Sequence, residues 1–144
     1  MLRALTLVLV LIAPALTVPA LAAEVSGPAR VIDGDTVVVG STHVRLKGVD
    51  AAELNTAFGQ LARFKMIAIV GTSTLTCELT GERTYNRQVG YCFRDDDGVD
   101  INQAIVEQGF ALACPRYSTA YVPFETVPAT LMQKRAAYCT ARRR

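Results

Sequence analysis

A single histidine, His43, and no Cys-x-x-Cys pair among 144 residues leave this chain without the ligand spacing of a zinc centre. Charge of one sign is also scarce: 15 Lys and Arg stand against 13 Asp and Glu, a formal +2. Bulk charge therefore draws the chain to no polyanion, and any such attraction must come from a locally focused cleft. No internal repeat is present, and the only long hydrophobic run lies at the N-terminus. That run reads as an export leader: Met1-Leu2-Arg3 is its positive start, Leu5 to Leu16 its apolar centre and Ala20-Leu21-Ala22 its cleavage site. Pro14 and Pro19 interrupt it, and it falls short of the roughly 20 apolar residues that span a bilayer.

The expectation is removal of residues 1–22 and a secreted or periplasmic product starting near Ala23, with no stable membrane anchor. About 122 residues remain, enough for one domain with one core, residues 23–144. Loss of Arg3 brings the net charge to about +1, and Arg142-Arg143-Arg144 reads as a solvated tail.

All four cysteines, Cys77, Cys92, Cys114 and Cys139, fall in this mature part, and an even count in an exported chain favours disulfides. Four cysteines allow three pairings. Cys77 and Cys92 lie in two strand-like runs joined by a turn-rich connection, which favours their pairing and leaves Cys114 for Cys139.

Strands are expected at Ala29 to Ile32, Thr36 to Val39 and His43 to Leu46, and again around Cys77 and Cys92. Leu61, Phe64, Ile67 and Ala68 recur at helical spacing between Phe58 and Val70, with Gly71 as the stop. A short helix capped by Asp100 carries Ile101, Ala104 and Ile105 and ends at Gly109. A last helix is expected from near Thr126 to about Tyr138, with Pro128 in its first turn. Asp95, Asp96 and Asp97 are consecutive, unlike the alternating ligands of an EF-hand, so they read as a solvated turn. Five short strands with helices between and after them suggest an α+β chain built on a small OB-type barrel.

The informative polar residues are Asp33, Asp35, Arg45, Asp50, Glu53 and Arg87, set among these strands. Carboxylates that hold a hard cation, a further carboxylate for water and two guanidinium forks are what phosphodiester hydrolysis needs. In isolation, Asp33-Gly34-Asp35 would be an Asx-type turn. Arg45, between apolar Val44 and Leu46, must point away from their face of the strand.

The ordered series Val31-Ile32-Asp33-Gly34-Asp35-Thr36, Val44-Arg45-Leu46 to Asp50 and Glu53, Tyr85-Asn86-Arg87, and Asn102 to Gln108-Gly109-Phe110-Ala111 resembles the thermonuclease, or staphylococcal nuclease-like, family over residues 29–117. The resemblance implies a five-stranded OB-fold barrel with about three helices and a monomeric, calcium-dependent endonuclease acting on DNA and RNA. It implies Ca2+ held by Asp35, Asp50 and the backbone carbonyl of Ala51, with Asp33 in an outer shell. Glu53 would act as general base, Arg45 and Arg87 would stabilise the phosphoryl group, and Tyr85 and Tyr117 would line the nucleotide pocket. Scission at the 5′ oxygen, leaving a 3′-phosphate, follows from the same resemblance.

The chain departs from the family in four places. Ala51-Ala52 replaces Thr-Pro before the glutamate, the loop after Glu53 is short, Asn86 replaces glycine, and Ala137-Tyr138-Cys139 stands near the place of a Gly-x-Trp signature. His43 is assigned no catalytic role. Two alternatives remain: a non-catalytic OB module binding nucleic acid or protein, and a disulfide-stabilised interaction domain.

Overall fold

The computed structural model describes residues 23–140; the leader expected at 1–22 and the whole of the tail Arg142-Arg143-Arg144 lie outside them. Strands β1 (Glu24–Val31), β2 (Thr36–Val39) and β3 (Thr42–Leu46) form an antiparallel meander, followed by the two-residue β4 (Val49–Asp50). Helix α1 (Ala57–Val70) leads to the hairpin of β5 (Thr74–Thr84) and β6 (Arg87–Arg94). Helix α2 (Ile101–Glu107), β7 (Leu112–Ala113) and the short α3 (Val127–Met132) complete the chain, with 3-10 turns at Val122–Phe124 and Ala137–Cys139.

Five strands close into a barrel in the order β1-β2-β3-β6-β5, β3 running parallel to β6. This is the mixed α+β, OB-type arrangement expected. β4 and β7 lie outside it as a separate ladder, Val49 opposite Ala113 and Asp50 opposite Leu112. β1 begins earlier than Ala29 because its first half pairs with β5, from Glu24 opposite Glu78 to Pro28 opposite Thr74.

The β-branched run Thr36-Val37-Val38-Val39 and the alternation of β3 put Val37, Val39, Val44 and Leu46 into the core. Gly40, at φ 59°, turns the chain between β2 and β3. Cys77 faces Cys92 across β5 and β6 and is bonded to it, and Cys114 is bonded to Cys139. Among the described residues, no helix is long and apolar enough to cross a membrane.

Two expectations need correction. Helix α1 forms where the spacing predicts, but Leu61, Phe64, Ile67 and Ala68 face outward, and Phe58, Ala62, Met66 and Ile69 face the core. The reason is the approach of α1 to the Asp33-Gly34-Asp35 bend: a Cβ at Gly34 would stand 2.9 Å from Cβ of Ala62. Only a small residue fits there, so the Ala62 stripe turns inward.

The second concerns α3, which stops at Met132 instead of running to Tyr138. Gln133 is extended, and its side-chain amide donates to the Asp50 carbonyl at 2.8 Å. The Ala136 N–H donates to Asp50 Oδ2 at 2.7 Å. A continuing helix would have spent that N–H on the carbonyl four residues back.

Candidate active site

The site begins at the bend between β1 and β2. The Asp35 N–H donates to Asp33 Oδ1 at 3.0 Å, which fixes the turn and aims the Asp35 carboxylate across the barrel wall. There its Oδ2 accepts from the Ala51 N–H at 3.0 Å and pairs with Arg45 Nη1 at 2.7 Å. Its Oδ1 accepts from the Thr36 hydroxyl at 3.2 Å. Arg45 lies opposite Thr36 in the β2–β3 register, with Val44 and Leu46 directed inward, so strand alternation alone brings the guanidinium to this face. Burial raises the Asp35 carboxyl well above the ordinary carboxylate range; Arg45 pulls it back and Asp33 adds to the rise.

Asp50 arrives on β4, held by its ladder with β7. It is buried, and burial also raises its carboxyl, against the lowering effects of the Ala136 N–H, Arg45 and Arg135. Glu53 follows in an irregular, exposed segment. Its carbonyl accepts from the Thr56 N–H at 3.0 Å and from the Thr56 hydroxyl at 2.8 Å, while Thr56 caps α1 through the Gly59 N–H. Helix α1 presses closely on this segment: a Cβ at Gly59 would fall 1.9 Å from the Glu53 carbonyl oxygen. Backbone hydrogen bonds and packing thus hold the glutamate where Ala51-Ala52 supplies no proline.

Arg87 opens β6 and donates from Nη1 to Thr36 Oγ1 at 3.2 Å. Beside it, Tyr85 occupies the β5–β6 turn with a left-handed φ of 54°, uncommon for a bulky side chain, and is 94% exposed. The Arg87 guanidinium stands 6.0 Å from its ring centroid.

Two adjoining hollows result. A polar cavity of about 90 Å³ is lined by Asp33, Asp35, Arg45, Ala51, Ala52, Glu53, Arg87 and Tyr138. A groove of about 720 Å³ runs past it, and Lys47, Arg83, Tyr85 and Tyr117 are among the side chains along its walls. Of the residues singled out from sequence, Asp33, Asp35, Arg45, Ala51, Glu53 and Arg87 come together at the cavity, and Tyr85 and Tyr117 at the groove. The Asp50 carboxylate is not part of the cavity wall. His43 lies opposite Val38 on β3 and lines neither hollow.

Sequence reasoning gave Tyr138 no role and expected a helix where residues 133–136 form an irregular strap before it. The signals there were the departure at Ala137-Tyr138-Cys139 and Cys139 itself, whose bond to Cys114 fastens the strap beside the groove.

Among the described residues, no group of three or more His, Cys, Asp and Glu side chains gathers as a metal site. The donors present are fewer: Asp35 and Asp50 carboxylates, both within electrostatic reach of Arg45. An oxygen-only set with room for water suits a hard divalent cation rather than zinc.

Comparison with known proteins adds to this geometry. The family described as staphylococcal nuclease homologue matches residues 43–137. A succinoglycan biosynthesis protein, ExoI, of Rhizobium meliloti (strain 1021) is 37% identical over 115 residues, 72% of this chain. The chain spans 60% of that relative's length. Two proteins named uncharacterized endonuclease, from Escherichia coli O157:H7 and Escherichia coli, are each 31% identical over 106 residues, 70% of this chain and 69% of theirs.

Proposed function

This chain belongs to the staphylococcal nuclease homologue family, and from that premise we propose that it is an exported, calcium-dependent endonuclease hydrolysing phosphodiester bonds of DNA, RNA or both. The observation that carries the reading is the meeting of Arg45 and Glu53 with Arg87, which lies far from both in sequence, at the junction of the polar cavity and the groove. A groove of this size takes a strand of nucleic acid, and the junction is where its phosphate meets the charged groups.

In this reading Asp35 and Asp50, with the Ala51 carbonyl and Asp33 in an outer shell, would hold a Ca2+, which when bound would supply positive charge to offset that of the phosphate. Glu53 orients a water and takes its proton as the water attacks phosphorus. Arg45 and Arg87 donate to the phosphoryl oxygens as charge builds on them, before the bond to the 5′ oxygen breaks, that oxygen takes a proton from solvent and a 3′-phosphate remains. Arg45 already spends one nitrogen on Asp35, which fixes the plane of its fork towards the cavity. Tyr85 and Tyr117 offer phenol rings to bases along the groove. The two disulfides agree with export, the chain acting as a monomer in one domain.

The test is release of acid-soluble nucleotides from DNA and from RNA by the exported protein, whose N-terminus is expected near Ala23. Cleavage should require calcium and stop with EDTA. Glu53→Gln should lower kcat by about 10²- to 10⁴-fold, the usual contribution of a general base. A purified, folded protein with no calcium-dependent cleavage of either nucleic acid would refute the proposal. One observation favours a second reading, a non-catalytic OB module: Ala136 and Arg45 already occupy carboxylate oxygens of Asp50 and Asp35. That module would bind nucleic acid or protein equally well with EDTA and after Glu53→Gln.

A further inference from the structure

Arg45, Glu53 and Arg87 are joined by a fourth residue, Tyr138, in lining both the polar cavity and the groove; every other wall residue belongs to one or the other. Tyr138 reaches this junction from the C-terminal end, on a segment fastened on both sides of it. The Cys114–Cys139 bond ties the residue after it to the groove wall. Arg135 is paired with Glu125 at 2.8 Å and donates to the Ala113 carbonyl, in β7. Ala136 and Gln133 hold Asp50 by its carboxylate and its carbonyl. The Arg116 N–H donates to the Cys139 carbonyl at 3.2 Å.

These contacts fix the backbone on either side of Tyr138 and leave its side chain 48% exposed, lining both hollows. Its phenol also feels the surrounding charges. Burial raises it, the Arg45 guanidinium lowers it, and the Asp50 and Asp35 carboxylates raise it further.

We propose that Tyr138 is a substrate-positioning residue of the phosphodiester site, delivered to the junction of groove and cavity by the disulfide-fastened strap. Its ring supports the nucleotide next to the scissile phosphate, and its hydroxyl orients that phosphate against Arg45. This inference rests on the nuclease reading for its kinetic consequence, but its binding consequence stands without it.

The experiment compares the wild type with Tyr138→Phe and Tyr138→Ala in the full, oxidised protein. Cleavage of a fluorophore–quencher oligodeoxynucleotide is followed with calcium, and anisotropy of a labelled single-stranded oligodeoxynucleotide is followed in EDTA. Tyr138→Phe keeps the ring and should bind within about twofold of wild type while kcat falls about tenfold, the loss of one hydrogen bond to charged groups. Tyr138→Ala should in addition weaken binding about tenfold, as removal of a stacking ring does. Both variants should fold, the side chain being half-exposed, with circular dichroism as the check, and a purely structural residue would not divide kcat from binding in this way.

Tyr138→Phe cleaving at the wild-type rate, or Tyr138→Ala binding as tightly as wild type, overturns the assignment. A wild type that binds without cleaving refutes the nuclease reading and leaves the binding of Tyr138→Ala to decide. A wild type that does neither overturns both.

Discussion

Gly59 sets two physical effects against each other in a way that one substitution can decide. It is the third residue of α1, and helix propensity favours Gly59→Ala by about 1 kcal/mol. The close approach predicts the opposite. The added Cβ would stand 1.9 Å from the Glu53 oxygen, 2.5 Å from its carbonyl carbon and 2.8 Å from the Ala52 oxygen. Carbon–oxygen contacts in folded proteins begin at about 3.3 Å, so the Glu53 carbonyl must retreat by more than about 1 Å. These atoms are backbone and cannot rotate aside as a flexible side chain would. Overpacking of this kind costs about 3 kcal/mol, which leaves a net loss of about 2 kcal/mol and a melting point lower by roughly 8 °C. Displacing Glu53, the proposed general base, by about 1 Å should lower kcat by about 10²-fold even well below the melting point. The check is thermal unfolding of Gly59→Ala alongside single-turnover cleavage, with Glu53→Gln setting the floor. A variant that melts higher than wild type and cleaves at the wild-type rate would show that α1 does not position Glu53.

The two disulfides should separate stability from catalysis. Cys77→Ala with Cys92→Ala opens a loop with a separation of 15 residues, and should cost about 3 kcal/mol in urea unfolding by loop entropy. Neither of these sulfurs lines a hollow, so cleavage by the folded fraction should stay at wild-type level. Cys114→Ala with Cys139→Ala, which frees the strap, should instead lower cleavage; equal effects of the two pairs on kcat would contradict the role given to the strap. Asn102 is fully buried and bonds the Cys92 N–H and the Lys47 and Gly90 carbonyls. Asn102→Ala takes their partner from the Cys92 N–H and the Lys47 carbonyl, while the Gly90 carbonyl keeps the Lys47 N–H, and should cost about 3 kcal/mol, read from the urea midpoint at unchanged slope.

The barrel was legible because strand patterning needs only near neighbours. Alternation along His43 to Leu46 was enough to turn Arg45 away from the core, and strand-like runs around Cys77 and Cys92 were enough to place them side by side. The β4–β7 ladder was not legible, since two residues per strand establish no period. Nor was the inner face of α1. Apolar residues occupy both sides of that helix, and the choice between them depends on how closely Gly34 approaches Ala62, a distance no helical wheel contains. The end of α3 was misplaced for a similar reason: good helix formers run on past Met132, but a buried carboxylate 86 positions earlier requires the Ala136 N–H.

The same distinction explains why the residue types of the site were legible and their support was not. Asp35, Arg45, Glu53 and Arg87 became legible only as an ordered set of carboxylates and guanidinium groups, since each alone has a bland structural use. What aims them is chemically plain: a glycine where α1 meets the Glu53 carbonyl, an alanine N–H on Asp50, a threonine hydroxyl shared by Asp35 and Arg87. Such residues carry no signal of their own, because their role is a distance and not a reactivity. The departures from the family pattern acquire a common meaning on this basis. Without proline before Glu53 and without tryptophan near the C-terminus, positioning passes to a close helix contact and to a strap held by Cys114–Cys139, and that strap brings Tyr138 to the junction where the arginines and the glutamate meet.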